Sequence, residues 1–186
     1  ADWFDSGIYR IASLEINENA GLTIESGVTV AVEEGRGIGV RGILKATDVT
    51  FTWVESQNQW RGIKFYETSD GSRLKNCIIE HSSDYTQYGE GGVILIEANS
   101  PVITGCTISN CEAETGINIQ KTASPVIRNN TISSMSGQAI YVSEDSIPLT
   151  TYNTLVNNTN GISIDYNNHG NYDYNNIWEN ISYGIY

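Results

Sequence analysis

The chain has 186 residues, 17% of them charged, and a formal net charge of −12. That length suits one domain, and ten basic residues, none between Lys75 and Lys121 and none after Arg128, cannot form the cationic cluster that a nucleic-acid backbone requires. No apolar run approaches the ~20 residues that span a bilayer, so neither a nucleic-acid partner nor membrane insertion is expected.

Isoleucine (24) outnumbers leucine (7) more than threefold, and valine adds 11. These β-branched side chains are stiff at χ1 and pack well on a pleated surface, which favours strands. Asparagine is abundant, 19 in all with 12 from Asn129 onward, while 18 glycines and three prolines are too few for a disordered or collagen-like chain. The acidic excess and a first residue that is not Met suit a mature or trimmed protein, extracellular or at a cell surface.

In chain order, residues 1–60 read as irregular opening coils of one domain. Gly21 to Val30 alternates strictly, and short strand-like runs follow at Gly42–Ala46 and Val49–Trp53. Residues 61–186 read as regular coils. A small residue followed by an aliphatic, a spacer and an apolar residue recurs at Gly62, Gly92, Gly116, Ala139, Gly161 and Gly184, with spacings of 30, 24, 23, 22 and 23. A second series, at Asn76-Cys77, Gly105-Cys106, Asn129-Asn130, Tyr152-Asn153 and Asn175-Asn176, keeps nearly the same beat. Pro101, Pro125 and Pro148 all fall at one repeat position.

The alternation within each unit has period 2, and no segment reads as an amphipathic helix. Such a unit cannot bury its apolar face alone, so neighbours must stack. The expected fold is all-β: a single-stranded parallel solenoid over residues 1–186, of about eight coils of ~23 residues, with equivalent strands paired at about 4.8 Å. Ile117, Ile140, Ile162 and Ile185 should form a buried column. Asn130, Asn153 and Asn176 should form a second, inward ladder continuing from Cys77 and Cys106, because buried amides must be hydrogen-bonded. Cysteines stacked in this way point in parallel, which disfavours a disulfide. Cys111 should align with Met135 and Ile181 as a small hydrophobe.

The run from Leu22 through Phe51 to Trp60-Arg61-Gly62-Ile63-Lys64-Phe65, with the later Ser100-Pro101-Val102-Ile103 and Ser124-Pro125-Val126-Ile127, resembles right-handed parallel β-helix repeat proteins of the pectate-lyase-like superfamily. The resemblance implies a right-handed helix and a secreted or cell-surface setting. It implies little about activity, because that superfamily includes lyases, hydrolases, epimerases, adhesins and stalks.

The motifs for catalysis are sparse. The chain has no Asp-Asp pair, no Gly-His-Gly and no paired metal-binding cysteines or histidines, and Lys64 and Lys121 lie two coils apart without a third basic residue beside them. No cofactor is expected; Asp84 and Glu90, in the insertion from Ser82 to Gly92, are the acids that could hold calcium. The aromatics are more suggestive, with 11 tyrosines and four tryptophans against three phenylalanines. Lys64 and Tyr66, Ile94 and Ile96, Asn118 and Gln120, Tyr141 and Ser143, and Ser163 and Asp165 should face outward on one long sheet, overhung by Tyr85 and Tyr88. A groove bearing Tyr66, Tyr85, Tyr88, Asn118, Gln120 and Tyr141 suits a neutral polysaccharide or glycan through stacking and amide hydrogen bonds. Sequence therefore favours a non-catalytic extracellular scaffold, stalk or carbohydrate-contacting module, self-associating into homo-oligomers or filaments through uncapped helix ends. The alternative is a polysaccharide lyase or glycoside hydrolase on the same fold.

Overall fold

The computed structural model describes residues 2–3, 7–55, 58–85, 91–165 and 168–186. Among the described residues 23 short strands form three parallel sheets, visited in turn once per coil. Sheet A contains Asp2–Trp3, Gly21–Ile24, Ile43–Thr47, Arg73–Lys75, Val102–Thr104, Val126–Arg128 and Leu149–Thr151. Sheet B contains Ile8–Ile11, Thr29–Val32, Thr50–Trp53, Ile78–Glu80, Thr107–Ser109, Thr131–Ser133, Thr154–Val156 and Asn176–Trp178. Sheet C contains Leu14–Ile16, Ile38–Val40, Ile63–Phe65, Ile94–Glu97, Ile117–Gln120, Gln138–Val142, Asn160–Ile164 and Tyr183–Ile185. No helix occurs among the described residues, so the all-β parallel solenoid is the observed fold. The opening coils are already in register, with Leu22 paired to Leu44 and Val30 to Phe51.

The core is a stack of like on like. Ile117, Ile140 and Ile162 pair one above another and are fully buried, whereas Ile185 continues the column at the surface, 49% exposed. The bulkiest buried side chains, Trp60, Phe51 and Phe65, lie in the first half. Each buried aliphatic contributes roughly 1.5 to 3 kcal/mol, which is how a thin core spread over many coils sums to a stable one.

Both ends of sheet B are set by the same device. The chain turns the corner from sheet A at a residue with positive φ: Gly27, Asp48, Asn76, Gly105, Asn129, Tyr152 and Tyr174 in successive coils. It turns toward sheet C in the same way at His81, Asn110, Ser134, Asn157 and Glu179. Glycine, Asn and Asp adopt this left-handed conformation at least cost, which explains the Asn-Asn and Gly-Cys pairs of the repeat. The following residue points inward, and its N–H looks along the axis toward the next coil.

That N–H needs an acceptor, which the next coil's side chain supplies. Asn130 N–H donates to Asn153 Oδ1 at 2.9 Å, and Asn153 N–H to Asn175 Oδ1 at 2.9 Å. The amide NH2 groups reach back, Asn153 Nδ2 to the Ile127 carbonyl at 3.0 Å. The ladder therefore ends in Asn175, not in Asn176, which lies in the strand opposite Thr154. Cys77 and Cys106 do occupy the same column, both free thiols, with Cys77 N–H on Cys106 Sγ at 3.4 Å. A second ladder at the other corner escaped the sequence reading: Met135 N–H to Asn158 Oδ1 at 3.0 Å and Asn158 N–H to Asn180 Oδ1 at 2.9 Å. Asn180, rather than Ile181, thus follows Cys111 and Met135, and Ile181 is 82% exposed.

Candidate functional site

The outer face of sheet C carries the densest polar chemistry. The register places Gly39, Lys64, Leu95, Asn118, Tyr141 and Ser163 in one outward row. This corrects the expected orientation of the Ile94–Glu97 strand. Ile94 and Ile96 pair with Ile63 and Phe65 and are fully buried in the core, so Leu95 and Glu97 are the outward residues. The long coil runs from Ile63 to Ile94 rather than from Gly62 to Gly92. Alternation has period 2, so a slip of one position exchanges the two faces.

The second outward row begins with Arg41 and Tyr66 and continues through Glu97, Gln120, Ser143 and Asp165. Glu97 Oε1 lies 2.9 Å from both Lys64 Nζ and Lys121 Nζ, and Gln120 Nε2 donates to the same oxygen at 3.1 Å. Burial alone would raise the Glu97 carboxyl, but the hydrogen bonds and charges of Lys64 and Lys121 outweigh it and hold the group below the usual range. The Arg41 guanidinium sits 3.7 Å from the centroid of the Tyr66 ring, with Lys64 Nζ 4.5 Å away. A third basic residue thus joins Lys64 and Lys121, brought in from the preceding coil.

The loop after Ser82 folds back over this row. Tyr85 N–H donates to the Gly92 carbonyl at 3.2 Å, and its ring lies 6.0 Å from Lys64 Nζ. Burial, and then Tyr66, push the Tyr85 phenol up. Its ring comes close to Gly37, where a Cβ would fall 2.8 Å from it. Asn118 Nδ2 donates to the Gly91 carbonyl at 3.2 Å, and the outward Leu95 is fully buried. Glu114 N–H donates to Asp84 Oδ2 at 3.2 Å, tying the near side of the loop to the neighbouring coil. Tyr88 and Glu90 lie outside the described residues.

The structure therefore brings Tyr66, Tyr85 and Gln120 together around Lys64 and Glu97, while covering Asn118. Tyr141 stands farther along, donating its hydroxyl to Asp165 Oδ2 at 2.7 Å. Two shallow pockets follow one another along the groove. One, of about 160 Å³, includes Arg41, Tyr66, Glu67, Glu97 and Lys121; the other, of about 130 Å³, is lined by Gln120, Tyr141, Ser143, Glu144 and Asp165. Arg41 was missed as a site residue, while Lys121 and Glu97, weighed from sequence as a lysine two coils from Lys64 and as an edge acid aligned with Glu67 and Glu144, were set aside. Aligning Ile94 with Ile63 and Ile117 would have placed Glu97 between Tyr66 and Gln120.

Among the described residues no three His, Cys, Asp or Glu side chains group to hold a metal. No helix among the described residues is long and apolar enough to cross a membrane. No curated protein and no solved structure matches the chain. The model of the right-handed beta helix region matches residues 36–186, most of the chain. With coils of ~23 residues stacked in three parallel sheets, the chain belongs to the right-handed β-helix family.

Proposed function

We propose that this chain is a non-catalytic β-helix module, secreted or displayed at a cell surface, that holds a neutral glycan along the outer groove of sheet C. The observation that carries the reading is the row Tyr66, Glu97, Gln120, Ser143 and Asp165, one hydrogen-bonding side chain per coil. Parallel strands advance about 4.8 Å per coil, close to the advance of one sugar unit in an extended chain, so successive rings meet successive side chains. Lys64 and Lys121 share the Glu97 carboxylate, and Glu18, Glu67, Glu144 and Asp165 line the same groove, so with Arg41 counted it carries no net positive charge that would select a polyanion. That carboxylate, held ionised, is a poor proton donor, and general acid catalysis of glycoside cleavage needs one whose pKa is raised.

Binding of soluble neutral oligosaccharides, followed calorimetrically, tests this. Gln120→Ala and Tyr141→Ala are expected to weaken binding about tenfold each, as loss of one or two hydrogen bonds and a ring face implies. Incubation with the same glycans and with polyuronates should release neither reducing ends nor unsaturated products. Either product would overturn the non-catalytic reading in favour of a hydrolase or lyase.

A further inference from the structure

A second concavity opens on a different face, outside sheet B in the opening coils. Its volume is about 320 Å³, and its lining includes Arg10, Ala31, Thr52, Trp53, Glu55 and Glu80. We infer that it is a binding site for a single neutral pyranose ring, separate from the groove on sheet C.

The register explains the hollow. Arg10, Ala31 and Thr52 follow one another in the outward row of sheet B, and Ala31 leaves a gap between two longer neighbours. Beside it the Trp53 indole stacks on His81, with ring centroids 4.4 Å apart and planes 10° apart. His81 belongs to the following coil and covers the indole face toward it. The indole shares the pocket lining with Ala31 of the preceding coil and Arg10 of the coil before that.

The platform is rigid from below. Trp53 packs against the core, and His81 is held at φ 56° with its N–H on the Asn110 carbonyl at 3.1 Å. The fully buried Trp60 donates its indole N–H to the Glu80 carbonyl at 2.8 Å, pinning the corner between them. Around this platform Arg10, Glu55 and Glu80 make no ion pair or side-chain hydrogen bond with any described residue. The half-buried indole gives the pocket an aromatic wall for the C–H face of a sugar ring, while a guanidinium and two carboxylates have the fork geometry that pairs with vicinal hydroxyls. Charges of both signs around one small pocket match a ligand that both donates and accepts and carries no net charge.

The test is titration of the intact chain with methyl glycosides of glucose, galactose, mannose and N-acetylglucosamine. Tryptophan fluorescence and saturation-transfer NMR would report binding. At least one glycoside is expected to bind saturably with a change in indole emission. Arg10→Met and Glu55→Gln should weaken it about tenfold, and Ala31→Leu, which adds bulk to the 5%-exposed floor of the hollow, should abolish it, with circular dichroism confirming that this variant is folded. Tyr141→Ala should leave this binding intact, so the two faces succeed or fail separately. Absence of saturable binding by the whole panel, or binding that persists in a folded Ala31→Leu variant, would overturn the proposal.

Discussion

One inward column runs the length of the corner between sheets A and B, and its two halves solve the same problem with different chemistry. In chain order its residues are Val28, Val49, Cys77, Cys106, Asn130, Asn153 and Asn175, set by the pairing of the residues that follow them. In the second half each amide accepts from the N–H one coil before and donates to a carbonyl there, as Asn130 does with Cys106 N–H at 2.8 Å and Ile103 O at 3.0 Å. In the first half the thiols accept weakly, and Val28 turns its N–H onto Glu25 O at 3.4 Å instead. An amide is a full-strength donor and acceptor, so a ladder of amides propagates; a thiol does both only weakly, Cys77 Sγ reaching the Ala46 carbonyl at 3.7 Å, and an isopropyl group ends the chain of bonds. The apolar half compensates with bulk, since Phe51, Trp60 and Phe65 are all buried there.

The strongest way to break this contrast is Asn153→Ala. It strips the acceptor from Asn130 N–H and orphans the Ile127 carbonyl, and each unmade buried bond costs about 1 to 3 kcal/mol. A loss near 3 kcal/mol in denaturant unfolding is expected; a midpoint equal to the parent's would mean that the amides carry no stability. A smaller effect of opposite sign should come from Cys106→Asn, which extends the amide ladder one coil toward the N-terminus. It offers Cys77 N–H a full-strength acceptor, so a gain of about 1 kcal/mol is expected, read as a raised melting temperature. A drop would show that the thiol half is packed too tightly for an amide.

The acid limb of stability sharpens a different contrast, between the buried ladders and the charged clamp on sheet C. The Glu97 carboxyl lies below its unfolded value, so its contribution is present above the ordinary glutamate range, near pH 4.3, and is lost as pH falls through the folded value. Melting temperature should decline on acidification from about pH 5 downward, and Glu97→Gln should flatten that limb. An unchanged acid limb in the variant would place the titrating group elsewhere. The smallest effect concerns the thiols. Burial pushes Cys111 up to about 12 and leaves it half-buried, while Cys77 and Cys106 are fully buried. A bulky thiol reagent at pH 8 should therefore label the native chain only slowly, at Cys111 first, because thiolate and access are both required. Rapid labelling of Cys77 or Cys106 before unfolding would contradict the closed core.

Sequence alone determines much of this protein. Its period, its parallel stacking, the proline turn and the Asn130–Asn153 ladder follow from like residues recurring at like positions. The sites were less legible, for a local reason. Val93, Ile94, Leu95 and Ile96 are four consecutive aliphatics, and a run without polar members carries no signal of which residues face inward. The long coil therefore admitted a phase one residue off, which hid Glu97 behind Ile96. In the last coil the same slip put Asn176 for Asn175 and Ile181 for Asn180. Only the tertiary structure could decide what the outward residues meet, because those partners lie a whole coil away. Arg41 takes the ring of Tyr66, Glu97 takes two lysines 57 positions apart, and His81 takes one face of Trp53. A solenoid brings such residues together by stacking, at distances along the axis that local alternation does not encode.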